Sequence, residues 1–187
     1  MKPVWALSMV AVTAALAVGC GYTTRSALDP DFQTIHVKPF QNRSQEYDFQ
    51  APLTNAVTRK FLHDGRLRVV GEDRADLVLE GAIVDYQLRG LTFDEDDNVS
   101  QFVLVVAAAA RLIDPETEEV VWQDEQLTGE TSYYTLATGQ RSDRLRGNAD
   151  VFLPSVRSFA TEEENRAASE ALDVLASRIF LQTIDPW

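Results

Sequence analysis

The segment that most restricts the fold of this chain is residues 101–114, with the sequence QFVLVVAAAARLID. Because side chains alternate between the two faces of an extended strand, this segment presents two apolar sets on opposite sides. The first set consists of Phe102, Leu104, Val106, Ala108, Ala110 and Leu112. The second set consists of Val103, Val105, Ala107 and Ala109. We therefore predict a central strand that needs a cover on both faces.

Periodic patterns on either side of this strand predict four more strands and two helices. The predicted strands span residues 34–40, 66–70, 75–89 and 119–130. One helix spans residues 51–62 and ends before Gly65. The other follows Thr161, whose spacing to Glu164 fits a capping box. Pro39 predicts that the first strand lies at an edge of the sheet.

This order of elements predicts an α+β fold. The most economical packing is a two-layer sandwich, in which two helices cover one face of a mostly antiparallel sheet of four to five strands. The second apolar set then lies on the open face, and we expect another protein or an acyl chain to cover it there. The alternative cover is the segment 131–160, which we predict to be a long loop within a single domain spanning residues 34–187.

The N-terminal residues have the pattern of a secretory signal. A cationic start at Lys2 precedes an apolar run from Val4 to Val18, which is shorter than the about 20 residues that a transmembrane helix needs. We predict a signal peptide over residues 1–19, with a retained membrane anchor as the alternative. The sequence Ala17-Val18-Gly19-Cys20 resembles the lipobox of bacterial lipoproteins.

That resemblance implies acylation of the Cys20 thiol and cleavage before this residue. The mature chain would then begin with a lipidated tether over residues 20–33. Its acyl chains, which include palmitate, would hold the protein in the membrane. Gly21 follows the cysteine, where an aspartate marks inner-membrane retention in many Gram-negative bacteria. The resemblance thus implies an outer-membrane location facing the periplasm.

Composition and motifs argue against several classes of function. The formal net charge of −12 is unfavourable for binding nucleic acid, which needs a clustered positive field. Cys20, His36 and His63 are too few for a tetrahedral metal site, and the acidic residues 94–98 lack the glycine and glutamate of an EF-hand. His63 next to Asp64 is explained by the helix dipole, and no nucleotide-binding motif is present. We predict no catalytic residues, no metal and no cofactor.

Positive charge is concentrated in the predicted loop. Four guanidinium groups in an otherwise acidic chain are candidates for contacts with lipid head-group phosphates, which arginine binds through paired hydrogen bonds. The alternative is that they are solubilising charges. These residues are Arg141, Arg144, Arg146 and Arg157.

Taken together, these features resemble the LPS-assembly lipoprotein family LptE. The resemblance rests on Cys20-Gly21-Tyr22, on IHVKPFQN at residues 35–42, on LTNAV at 53–57 and on ADLVLEG at 75–81. It covers about residues 20–130 and the C-terminal helix, and it implies a periplasm-facing α/β sandwich without catalytic activity. In that family the lipoprotein plugs the lumen of the outer-membrane barrel LptD, assists its assembly and helps deliver lipopolysaccharide.

Two other classes of function remain as alternatives. A periplasmic lipoprotein that regulates a cell-wall synthase usually has a long Pro-rich tether, whereas residues 20–33 are too few to cross a periplasm. A glycan hydrolase needs two carboxylates facing each other in a cleft, which a sequence does not reveal. We expect an LptD-like barrel and the membrane as partners, and lipopolysaccharide as a further candidate.

Overall fold

The computed structural model of the protein describes residues 28–46, 48–93, 99–134 and 162–185. These ranges contain six strands, two α-helices and a short 3-10 turn at Glu72–Arg74. The strands are β1 (Thr34–Val37), β2 (Gln41–Asn42), β3 (Arg68–Val69), β4 (Leu77–Phe93), β5 (Val99–Ile113) and β6 (Val120–Tyr134). The helices are α1 (Gln50–Asp64) and α2 (Glu162–Ile184).

The strands form one mixed sheet in the order β3-β1-β4-β5-β6, and β2 pairs with β4 beyond the end of β1. The three long strands β4, β5 and β6 are antiparallel, as predicted. The short strands are parallel to their neighbours: β1 to both β3 and β4, and β2 to β4. This follows from the connection through α1, because a strand-helix-strand unit returns the chain in its original direction.

The first strand is not at an edge, which corrects the prediction from Pro39. β1 is paired on both sides and ends at Val37, so Pro39 lies beyond the last paired residue and removes no ladder hydrogen bond. The backbone N–H of Lys38 still donates to the carbonyl of Leu79 at 2.9 Å. The edge position belongs instead to β3, which is only two residues long.

Both helices pack on the same face of the sheet, which confirms the predicted two-layer α+β sandwich. α1 buries Leu53, Ala56, Val57 and Phe61, and α2 buries a longer stripe that includes Ala171, Leu175 and Ile179. Together with one side of each strand, these residues form a single hydrophobic core. α1 ends at Asp64 and is capped by Gly65, whose φ of 76° is the left-handed conformation that the sequence predicts.

Two boundaries differ from the prediction. β6 continues to Tyr134, so residues 131–134 are strand and not loop, because Tyr133 is buried and its ring stacks on Phe102 at 5.7 Å. At the other end, Leu28 is 7% exposed and belongs to the core, so the folded domain extends into the last residues of the predicted tether. Tertiary contacts that lie far away in the sequence set both boundaries.

Candidate partner-binding face

The two apolar sets of β5 have different surroundings. Leu104, Val106, Ala108 and Leu112 are 0% exposed beneath the helix layer. The side chains of Val103, Val105, Ala107 and Ala109 point to the opposite side of the sheet and are partly exposed. Both helices of the described residues pack on the first side. We call the second side, which no described helix covers, the uncovered face.

Polar side chains flank this apolar stripe on both sides. The antiparallel register places one residue of β4 beside each member of the stripe and one residue of β6 beside Val103, Val105 and Ala107, whereas the register shift after Ala108 leaves Ala109 without a partner in β6. From the hairpin end inward, the rows are Arg89–Val103–Ser132, Gln87–Val105–Glu130 and Asp85–Ala107–Thr128. The apolar stripe is therefore one strand wide and ~20 Å long. The sequence of β5 alone does not reveal this width, because the width depends on the side chains of β4 and β6 beside it.

A groove with a volume of about 350 Å³ opens at one end of the stripe. It contains the small residues Ala82 and Ala109 and lies next to an irregularity in β6, where the register between β5 and β6 shifts after Ala108. The absence of large side chains in the middle strands leaves this depression. Charged residues surround it: Lys38, Arg43, Glu80, Arg111, Asp124 and Glu125.

Two of the basic side chains around the groove are paired with carboxylates. Arg111 Nη2 lies 3.3 Å from the Glu80 carboxylate, and Lys38 Nζ lies 2.8 Å from the Glu72 carboxylate. The hydrogen bond between Lys38 and Glu72 raises the pKa of Lys38 and lowers the pKa of Glu72. Both groups are therefore charged at neutral pH.

Three other charges at the margins of the groove, Arg43, Asp124 and Glu125, form no ion pair within the described residues. In the described part of the chain, the Arg43 guanidinium donates to the neutral Gln41 side-chain carbonyl at 3.1 Å and contacts no carboxylate. On the other margin, Asp124 and Glu125 form no salt bridge within the same ranges. The strand order places Arg43 on the β2 side and the two acids on β6, so the face is basic on one side and acidic on the other.

Sequence reasoning found the stripe but missed these charged residues. Arg43, Arg111 and Glu125 are separated by tens of positions and belong to different elements, so no local pattern connects them. The only available signal was that each lies within or just beyond a predicted strand.

Several predicted sites lie outside the described residues. These are Cys20 with the signal sequence, the acidic residues 94–98 and the arginines at positions 141, 144, 146 and 157. Thr161 of the predicted capping box is outside as well, and Glu164 accepts a hydrogen bond from the Tyr86 hydroxyl at 3.1 Å. Their predicted roles remain predictions.

The His63–Asp64 pair does not form a base with an orienting carboxylate. Asp64 accepts two hydrogen bonds from the Arg66 guanidinium, at 2.7 and 2.9 Å, and this interaction lowers the pKa of Asp64. The His63 ring lies 3.1 Å from the Arg59 carbonyl. Among the described residues, no three His, Cys, Asp or Glu side chains are grouped as metal ligands, and neither helix is long and apolar enough to span a membrane.

Comparison with known proteins gives one family and several distant structures. No curated relative matches the sequence. PelC from Paraburkholderia phytofirmans, described as a dodecamer, is 17% identical over 87% of this chain and 96% of its own, with a TM-score of 0.46. A minor lipoprotein from Acinetobacter baumannii is 12% identical over 81% of this chain and 90% of its own, with a TM-score of 0.49. Lipoprotein B from Nitrosomonas europaea is 15% identical over 89% of this chain and 97% of its own, with a TM-score of 0.43.

The family match covers most of the chain. The family LptE, described as lipopolysaccharide-assembly, matches residues 32–183, a range that contains every strand of the sheet and nearly all of α2. Three of the segments on which the sequence resemblance rests form β1 and β2, the second turn of α1 and the start of β4, and the fourth, Cys20-Gly21-Tyr22, lies outside the described residues. This protein therefore belongs to the LptE family of lipopolysaccharide-assembly proteins.

Proposed function

We propose that this protein is an outer-membrane lipoprotein that assists the assembly of an LptD-like barrel and plugs its lumen, and thereby supports lipopolysaccharide delivery. Membership of the LptE family supports this function. The single observation that carries it is the uncovered face, on which the middle strand presents Val103, Val105, Ala107 and Ala109. In this proposal Cys20 carries the acyl chains that hold the protein at the periplasmic side of the outer membrane.

The composition of the uncovered face suits the interior of a large barrel. The inward side chains of outer-membrane barrels are mostly polar, so a plug must offer polar partners and not only apolar surface. The rows beside the stripe provide them as Gln87, Glu130 and Ser132. The small residues of β5 let a barrel wall approach the sheet closely, as alanine and valine do in other tightly packed interfaces.

The protein acts in this proposal by contact and not by catalysis. The two histidine rings donate hydrogen bonds to backbone carbonyls, His36 to Val70 and His63 to Arg59, and within the described residues neither ring is hydrogen-bonded to a carboxylate. The arginines at positions 141, 144, 146 and 157 are proposed as contacts for lipid head-group phosphates. A chain with a net charge of −12 repels anionic head groups elsewhere on its surface.

The test is co-purification of the barrel with Val105→Asp. Val105 lies in the middle of the stripe, and a carboxylate there would be buried unpaired in a barrel complex but solvated in the free protein. We expect about a tenfold or larger loss of barrel captured from crosslinked outer membranes, with an unchanged unfolding transition of the isolated protein. Val174→Asp on α2 is the matched control, since Val174 is 40% exposed, and it should leave capture unchanged.

Other results would contradict the proposal. If Val105→Asp unfolds the isolated protein, the uncovered face is part of the core and not an interface. If the wild-type protein captures a cell-wall synthase and no barrel, the synthase-regulator alternative replaces the leading function.

A further inference from the structure

We propose that the barrel wall over the uncovered face carries lysine and arginine side chains opposite β6, and acidic side chains opposite β2 and the end of β4. This inference rests on the proposed function and adds to it the chemistry of the partner surface. The wall then accepts the sheet in one orientation across its strands. The inference is carried by four exposed charged side chains that form no ion pair within the described residues: Arg43, Arg89, Glu125 and Glu130.

β6 supplies the acidic side of the uncovered face. Glu130 lies beside Val105 in the register of β5 and β6, and Glu125 lines the groove at the irregular part of β6. The strand contains no lysine or arginine. Arg178 of α2 reaches β6 from the helix layer, and its guanidinium donates to the Thr128 hydroxyl at 3.0 Å. In the part of the chain that the structure describes, both glutamates are therefore exposed to water without a basic partner.

The opposite side of the uncovered face carries two free arginines. Arg43 lines the groove just beyond β2, and its guanidinium donates to the neutral Gln41 side-chain carbonyl at 3.1 Å. Arg89 lies beside Val103 near the end of β4. Both arginines are exposed, and neither forms an ion pair among the described residues.

The other charged groups on this side have partners within the chain. Asp85 of β4 interrupts the basic side, and its carboxylate accepts hydrogen bonds from the Tyr86 backbone N–H at 2.9 Å and from the Gln87 side-chain amide at 2.7 Å. The two ion pairs beside the groove neutralise four further charges. The two arginines are therefore the charges on this side that a partner can pair.

The apolar stripe of β5 separates the basic side from the acidic side. With a spacing of about 4.8 Å between neighbouring strands, β4 lies about 10 Å from β6, and β2 lies about 14 Å from β6. Water solvates the charges on both sides in the free protein. A wall that covers the face removes this water, so each charge then needs an opposite charge or a strong hydrogen-bond partner. A wall that is basic over β6 and acidic over β2 and the end of β4 supplies these partners.

The charges distinguish the two directions across the sheet, whereas the apolar stripe does not. A stripe of valine and alanine that is one strand wide offers similar contacts to a wall in either direction. Reversing the wall would place its basic side over Arg43 and Arg89 and its acidic side over Glu125 and Glu130. Because like charges would then face each other, electrostatic repulsion disfavours the reversed orientation.

The charge of the whole chain also favours a wall with basic side chains. The formal net charge is −12, and enclosure in a lumen displaces much of the water and salt that screen this charge. Positive charge on the surrounding wall reduces the resulting repulsion. Net charge alone does not determine where that positive charge lies, so a test of its placement has to keep the net charge constant.

The first experiment exchanges the two sides in the full-length chain. Arg43→Glu, Arg89→Glu, Glu125→Lys and Glu130→Lys are introduced together, which turns two bases into acids and two acids into bases and leaves the net charge at −12. We expect about a tenfold or larger loss of barrel captured from crosslinked outer membranes, because each exchanged charge then meets a like charge on the wall. All four side chains are exposed, so the thermal unfolding of the isolated protein should stay unchanged.

The control exchanges two charges on the helix layer. Lys60→Asp together with Asp173→Lys reverses the ion pair between α1 and α2, in which the Lys60 Nζ lies 3.0 Å from the Asp173 carboxylate. This change also leaves the net charge at −12, and capture should equal that of the wild type. Full capture by the fourfold variant would overturn the inference. An equal loss in the fourfold variant and in the control would overturn it too, because the loss would then not depend on the uncovered face.

The second experiment uses neutral replacements, so it does not depend on the folding of the exchanged variant. Arg43→Gln, Arg89→Gln, Glu125→Gln and Glu130→Gln are combined in one chain, and binding of purified barrel is measured at two salt concentrations. Raising the salt from about 50 mM to about 500 mM should weaken binding of the wild type about threefold or more, because salt screens charge pairs. The neutral variant should lose most of this salt dependence. Equal salt dependence in both proteins would contradict the charge pairing.

Failure of this inference is distinguishable from failure of the proposed function. A wild-type protein that captures the barrel, loses it with Val105→Asp and keeps it after the charge exchange refutes the charge arrangement and leaves the proposed function standing. A wild-type protein that captures no barrel refutes the proposed function and, with it, the inference.

Discussion

Asp76 shows how one side chain joins distant parts of the sheet. Its carboxylate accepts hydrogen bonds from the backbone N–H groups of Gln33 and Thr34, at 2.9 and 2.8 Å, and thus ties the start of β1 to the start of β4. The Thr34 hydroxyl, in turn, accepts the N–H of Asp76 at 2.9 Å. The hydrogen bond from Gln33, followed by that from Thr34, lowers the pKa of Asp76. The aspartate of the ADLVLEG motif thus has a structural role.

We predict that Asp76→Ala lowers the free energy of unfolding by about 2 kcal/mol at pH 7, since two charge-assisted hydrogen bonds are lost. A carboxyl group whose pKa is lower in the folded state stabilises the protein above its unfolded pKa of about 3.9, and this contribution disappears as the pH falls through the folded pKa. The difference between wild type and variant in urea denaturation should therefore shrink below about pH 4. Asp76→Asn keeps an oxygen acceptor and should give a smaller loss at pH 7. An equal difference at pH 7 and pH 3 would contradict the assignment.

The second prediction for a single residue concerns Cys20. Cys20→Ser removes the thiol that receives the diacylglyceryl group in the lipobox reading, so the precursor should stay uncleaved and unlabelled by palmitate. The measurement is metabolic labelling followed by intact-mass analysis of the membrane fraction. Ser26→Ala, a small change within the tether sequence, should process normally. Normal labelling of Cys20→Ser would refute lipidation at this residue.

At the scale of the elements, the contact between α2 and β6 depends on the absence of a side chain at Gly129. A Cβ atom at this position would overlap the carbonyl oxygen of Ala171 and lie 2.7 Å from the Leu175 Cβ. The helix backbone therefore rests directly on the strand. This contact also supports the length of β6. Because α2 packs on the inner face of the strand, Leu127 and Tyr133 are buried in the same core and the strand continues to Tyr134.

We predict that Gly129→Ala lowers the free energy of unfolding by about 2–3 kcal/mol, because α2 must move away from the sheet to make room for the methyl group. Gly71→Ala is the matched control. Its φ of −69° suits any residue, and the nearest atom to a new Cβ is the carboxylate oxygen of the flexible Asp73 side chain, at 2.9 Å. Its effect in thermal unfolding should stay below about 1 kcal/mol. A Gly129→Ala variant as stable as the control would show that α2 does not pack closely on β6.

At the scale of the whole molecule, the proposed function depends on the sheet face opposite the helices. A barrel wall would cover Val103, Val105, Ala107 and Ala109 there, and outward residues of β4 and β6 flank this stripe. A partner that binds only the folded state also stabilises the protein against unfolding, by an amount that grows with the free partner concentration.

We predict that adding purified LptD-like barrel to the Val105→Cys protein slows the reaction of this cysteine with a soluble maleimide, because the barrel wall would cover the stripe. The measurement is the labelled fraction against time, and the wild-type chain accounts for any reaction of Cys20. Val174→Cys is the control, since Val174 is 40% exposed on α2, and its labelling should stay unchanged. Equal labelling of Val105→Cys with and without bound barrel would contradict contact at the stripe.

How much of this structure follows from the sequence depends on the range of each interaction. The alternation of residues 101–114, the apolar stripes of the two helices and the Gly65 cap are local, and the predictions from them are confirmed. The edge position of β1 and the end of β6 were predicted wrongly from equally local signals. In both cases a partner that is distant in the sequence decides the outcome. Pairing with β3 places β1 inside the sheet, and the ring stack with Phe102 keeps Tyr133 within β6.

Local side-chain patterns suffice for the two-faced central strand, the α+β class and, through the motifs, the resemblance to the LptE family. The folded sheet was needed to show which apolar set lies beneath the helices, how polar neighbours narrow the other set, and that a basic and an acidic margin lie on opposite sides of one groove. Periodicity is a property of one element, whereas burial and the grouping of charges arise between residues such as Arg43 and Glu125, which are far apart in the sequence and meet only on the folded surface.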